Sequence, residues 1–270
     1  MDYDAFLEKA MKIFNEKMGT DFSADNIVLR CLTTEDQMEV FQSFCTDYFP
    51  DRLKDRYEDE GYFAFRASSF IGWDDGSKDG ILLRTDIPYK PAELIHVFLH
   101  ELAHIFCCHN ELNGKSFYNE YCEGYAPTTG EDEAINAGYA VWRECIAEII
   151  AIECDDNCAI LSLRRKKKLF AQLSDEIEPL EGKLAVSQIL VAVMTSLEVE
   201  TAEDWASASE SIRQFIPLDL PEYMALFEAV YRQLRGKVIP IDIDFISEIG
   251  ALYMNILAVT MLRRFQTNLQ

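Results

Sequence analysis

All four histidines of the chain, His96, His100, His104 and His109, fall on one short segment in which apolar residues recur at helical spacing. Leu94, Val97, Phe98, Leu102, Ile105 and Phe106 make an apolar stripe, and Pro91 suits the first turn of a helix. The segment is therefore expected to be helical from Pro91 to about Cys108, with one side in a core. His100 and His104 stand four residues apart, so they project from one face about 6 Å apart along the axis. Imidazoles on adjacent turns can meet a single metal ion. Glu101 lies about 100° further round the helix, which places its carboxylate beside such an ion rather than on it. A base that takes a proton from a metal-activated water is needed there.

His100-Glu101-Leu102-Ala103-His104 resembles the HExxH zinc metallopeptidases, the zincins. The resemblance implies a hydrolase that cleaves peptide bonds with a zinc-activated water, His100 and His104 as metal ligands and Glu101 as general base. A third ligand is then required. No histidine follows His109, and Asn110 stands where the metzincin pattern has its third histidine. The remaining donors are carboxylates and cysteines.

Glu144-Cys145-Ile146-Ala147-Glu148 resembles the Glu-x-x-Ala-Asp pattern of the gluzincins, with Glu in place of the final Asp. By that resemblance Glu144 binds zinc, and Glu148 holds the far nitrogen of a ligand histidine and fixes its tautomer. The longer Glu also permits the exchange in which Glu148 is the ligand. Apolar neighbours, Ile146, Ala147, Ile149 and Ile150, argue against a merely solvated acidic face. Peptidases of this type stabilise the oxyanion with a further side chain, for which His109, Tyr139 and Tyr118 are candidates. His96 is expected to pack or hydrogen-bond rather than bind metal. A more limited resemblance, over about Gly80 to Ala151, is to the ImmA/IrrE-like cytoplasmic peptidases. In zincins an edge strand before the active-site helix pairs with extended substrate, and Gly80–Thr85 is the segment expected to do so here.

Two other functions use the same residues differently. One is a catalytically inactive zinc-binding regulatory or interaction protein. The other is a helical interaction protein in which the motif has no metal. Glu101 speaks for catalysis, because holding zinc does not require it.

The fold class expected is α+β and zincin-like, mostly helical with a small antiparallel sheet before the active-site helix. Helices are expected over Tyr3–Lys17, from Thr33 or Thr34 to Phe49, over Asp132–Cys154 and, further on, over residues 159–176, 182–197, 206–215, 222–234 and 244–265. Strands are expected over Asn26–Leu32, Tyr62–Arg66 and Gly80–Thr85, the last two joined by the turn-rich Asp74–Gly80. The texture turns wholly helical near Asp155–Asn157. This divides the chain into a catalytic region, 1–154, and a helical region, 155–270, which are also compatible with one compact domain.

With 25 Lys and Arg against 47 Asp and Glu, the net charge is -22. That opposes binding to nucleic acid or to anionic membrane. The basic run Arg164–Lys168 reads as the wet face of a helix, and the stretch Glu120–Glu133, free of Lys and Arg, suits basic peptides. Neither a signal-like start nor a membrane-length apolar run is evident, so a cytoplasmic location is expected, with the eight cysteines as reduced thiols. The implied partner is a peptide or protein substrate. The oligomeric state has no signature.

Overall fold

The computed structural model describes residues 1–54, 57–58, 61–73, 76–114, 119, 121, 129–155, 204–213, 221–236 and 241–267. The helices expected over 159–176 and 182–197, the basic run, Tyr118 and most of the acidic stretch lie outside them. The architecture is α+β and mostly helical, with one small sheet. Two compact units are interleaved in sequence: Met1–His109 with Ile150–Ala159, and Asn110–Ile149 with Ile160–Gln270.

In the first unit, helix α1 covers Tyr3–Met18. Asp2 caps it by accepting from the Ala5 amide at 3.1 Å, and Gly19 ends it at φ 70, a left-handed turn that glycine takes without strain. Its buried stripe, Leu7, Ala10, Met11 and Phe14, packs against the helix that carries the histidines. Strand β1 covers Ile27–Leu32 and helix α2 Gln37–Tyr48. A short 3-10 turn, Pro50–Lys54, follows. Strands β2, Ala67–Phe70, and β3, Asp79–Arg84, lead to helix α3, Pro91–His109.

The sheet order is β1-β3-β2. β1 runs parallel to β3, with Ile27 opposite Asp79 and Leu32 opposite Arg84. β2 runs antiparallel to it, with Ala67 opposite Leu83 and Phe70 opposite Gly80. The sheet is thus mixed rather than antiparallel, and β3 is its centre rather than an edge open to substrate. Ile81, Leu82 and Leu83 are all fully buried. A continuous apolar run of this kind suits a strand covered on both faces, not one with a wet side.

The strand expected over Tyr62–Arg66 is instead a turn and an extended approach to β2. Its aromatic residues serve a cluster formed by Phe41, Phe44, Phe49, Phe63 and Phe70. Phe44 meets Phe70 edge to face, with centroids 5.2 Å apart. Gly80 lets these rings approach the sheet: a Cβ there would stand 2.5 Å from Phe44 Cζ and 2.8 Å from Phe49 Cε2. The cap expected at Thr33 or Thr34 also moves. Asp36 precedes α2, and its carboxylate accepts from the Thr33 amide at 2.6 Å. The Thr34 amide donates to Asp86 at 3.0 Å, and Arg84 pairs with the same carboxylate at 2.7 Å, tying the end of β1 to the end of β3.

Helix α4, Thr129–Cys154, begins in the second unit and ends in the first. The second unit also holds α5, Trp205–Arg213, α6, Pro221–Gly236, and α7, Ile243–Thr267. α4 and α7 cross at two glycines. A Cβ on Gly138 would lie 2.0 Å from the Ile246 carbonyl oxygen, and one on Gly250 1.8 Å from that of Ala134. Beside the crossing, Trp142 meets Phe245 edge to face at 5.2 Å. Of the six described cysteines, all but Cys31 are buried. No helix among the described residues is long and apolar enough to cross a membrane.

Candidate metal centre

Leu94, Phe98, Leu102 and Ile105 of α3 are fully buried, which fixes the rotation of the helix about its axis. That rotation leaves His100 half-buried and places Glu101 and His104 at 6% and 9% exposure. The Nε2 atoms of His100 and His104 face each other at 3.0 Å, their rings nearly perpendicular at 89°. Two nitrogens on one tetrahedral zinc, at about 2.0–2.1 Å each, would stand roughly 3.3 Å apart. The imidazoles therefore need to open by only a few tenths of an ångström to share an ion.

α4 supplies the carboxylates. Glu144 is half-buried, its Oε1 accepting from Arg143 at 3.1 Å, while Glu148, one turn on, is 3% exposed. Cys145 lies between them, and burial pushes its thiol up to about 12, with the Glu148 charge adding to the effect. Among the described residues, one ligand atom from each of His100, His104 and Glu144 lies within 4.8 Å of the others, the one such grouping. The spacing expected of the motif thus brings together these three side chains. Two imidazoles and a carboxylate are the donor set that zinc accepts while keeping a fourth position open, so the residues present fit that ion.

The two oxyanion candidates within the described residues are placed elsewhere on their helices. His109 lies five residues beyond His104, about 140° round the helix. Its Nε2 is 3.0 Å from both carboxylate oxygens of Asp79, and Trp73 stands edge-on to its ring at 6.1 Å. Burial raises the Asp79 carboxyl above its ordinary value, opposed by the Gly72 amide and by His109. Tyr139 is buried, five residues before Glu144 and therefore also about 140° from it around α4.

One polar pair was not expected from the sequence. His96, 5% exposed, meets the carboxylate of Asp155 at 3.2 Å, joining α3 to the residue just past α4. The partners are 59 positions apart. A faint sign was present, since Asp155 lies eleven residues beyond Glu144, about three helical turns, and so continues the Glu144–Glu148 stripe. Comparison of the chain with protein-family profiles, curated proteins and solved structures gives no match.

Proposed function

We propose that the chain is a zincin-like, zinc-dependent metallopeptidase of the gluzincin kind. The observation that carries this reading is the convergence of His100, His104 and Glu144, with Glu101 buried one residue from the first ligand. The three side chains would hold the ion. When bound, zinc would supply the Lewis acidity that polarises a peptide carbonyl and makes a water acidic near neutral pH.

The remaining chemistry belongs to protein groups. Glu101 accepts a proton from the attacking water and passes it to the amine nitrogen that leaves, so it begins and ends the cycle ionised. Its burial excludes bulk water and strengthens its interaction with charge developing nearby. His100 and His104 would hold the ion as neutral imidazoles. Glu148, buried beside Cys145, is suited to hold an imidazole N–H and fix the tautomer.

An extended peptide would add to the sheet at β2, not β3. β2 packs against α3, and its outer edge faces no other strand among the described residues.

The test separates binding from chemistry. Glu101→Gln keeps shape and hydrogen bonding but cannot take up a proton. It is expected to bind zinc like the parent and to lose peptide cleavage by about a hundredfold or more. Equal cleavage by the two proteins would overturn the mechanism. Zinc binding with no cleavage of any peptide by the parent would favour the non-catalytic zinc-binding protein instead.

A further inference from the structure

Asp155 stands at an unfavourable place for a carboxylate. Its amide caps the end of α4, at 3.0 Å from the Ala151 carbonyl oxygen and 3.2 Å from that of Ile152. Its charge therefore lies against the negative end of the helix dipole. Its side chain is only 11% exposed, and His96, which it meets, is 7% exposed on the same measure. A buried carboxylate at a helix C-terminus is tolerable when an imidazole stands against it.

The pair also occupies particular positions. His96, His100 and His104 are spaced four and four along α3 and share one stripe. Glu144 and Glu148 on α4, and Asp155 just past its end, are spaced four and seven and continue another. His96 and Asp155 both belong to the first unit, as does the last turn of α4. The contact thus anchors the end of the unbroken helix that carries Glu144.

We infer that the His96–Asp155 pair is a positioning contact for the metal site, fixing the C-terminal end of the helix that carries Glu144. The inference rests on the zinc reading given above. His96 and Asp155 touch neither metal nor substrate in this account; they act through Glu144. Loss of the contact would free the end of α4. Glu144 then reaches the ion less well, while the apolar packing that holds the helix remains.

The experiment measures zinc affinity, by competition with a chromophoric chelator, for the full chain and for Asp155→Asn, His96→Gln, the double variant and Glu144→Ala. Circular dichroism of each metal-free protein and the visible spectrum of each cobalt(II) form are recorded alongside. Asp155→Asn and His96→Gln are each expected to weaken zinc about tenfold, the lower end for residues that orient ligands. The double variant should be no worse than either single, because one contact is removed twice. The cobalt band should change in intensity while the metal-free unfolding midpoint barely moves, a split that a general stabilising contact would not produce.

Affinities within twofold of the parent, additive losses, or collapse of the metal-free fold would each overturn the inference. Should the parent bind zinc and Glu144→Ala lose it while Asp155→Asn is unaffected, only the inference fails. A parent that binds no zinc removes the metal site itself.

Discussion

At the scale of single residues, zinc binding would depend on which carboxylates and imidazoles share a face. Glu144 and Glu148 differ in exposure and in neighbours, and that difference predicts their roles. Glu144→Gln is expected to weaken zinc by at least a hundredfold, as loss of a ligand. Glu148→Gln should weaken it by about ten- to a hundredfold, as loss of an orienting hydrogen bond. Chelator competition on both variants decides, and the reverse order would make Glu148 the ligand. His109 gives a control of the opposite kind. Its imidazole is bound to Asp79 at 3.0 Å and lies away from the ligand face. His109→Ala should leave zinc affinity within about twofold while lowering stability by about 1 kcal/mol or less, since the pair is partly exposed.

Much of this was legible in the chain, because a helix converts spacing into geometry. Four-residue steps from His96 to His104, and from Glu144 to Glu148, fix faces without knowledge of the fold. The His96–Asp155 contact was not legible, because nothing local joins positions 59 apart. The placements of His109 and Tyr139 were equally hidden, since each depends on how a helix is rotated by its own packing.

At the scale of elements, two glycine substitutions probe the close approaches. An Ala for Gly in a helix interior ordinarily favours the helix by about 1 kcal/mol. At Gly250 the added methyl would stand 1.8 Å from a backbone oxygen of α4, which no rotamer change relieves. Gly250→Ala is therefore expected to lower stability by about 3 kcal/mol, at the upper end for overpacking. Gly80→Ala meets ring carbons that can tilt, and about 1–2 kcal/mol is expected. Urea unfolding of both variants tests this, and a stabilised Gly250→Ala would contradict the crossing.

Helix bounds follow well from periodicity, as α1 and α3 illustrate. The sheet is less transparent. β2 reads Ala-Ser-Ser-Phe, with little strand propensity, while the aromatic run before it has more. Those rings are spent on packing around Phe41 and Phe44, so tertiary burial overrides the local preference. β3 is expected as a strand over Gly80–Thr85, but as an edge; its run Gly80-Ile81-Leu82-Leu83, with no polar alternation, instead suits the central, doubly covered position it takes.

At the scale of the whole molecule, charge governs response to acid. Arg84, with Thr34 next, holds the Asp86 carboxyl well below its ordinary value, and the Thr33 amide lowers that of Asp36. Each acid takes up a proton more readily in the unfolded chain than in the folded one. Their stabilisation is therefore complete above about pH 4, the ordinary carboxyl range, and is lost as pH falls below it. The urea midpoint should drop between pH 5 and pH 3, and Asp86→Asn should show a smaller drop. An equal drop in the variant would remove Asp86 as a source.

The division of the chain at the end of α4, expected from texture, differs in kind from the units observed, because that helix begins in one and ends in the other. Sequence texture reports local composition, whereas a compact unit is defined by contacts between distant segments.

The central claim is that His100, His104 and Glu144 together hold one zinc ion. The most direct measurement is metal content by plasma mass spectrometry on the untagged protein beside Glu144→Ala, after both have been offered zinc and desalted. About one zinc per chain in the parent, lost or strongly reduced in the variant, is the predicted result. No zinc in the parent, or the same zinc in both proteins, would contradict it.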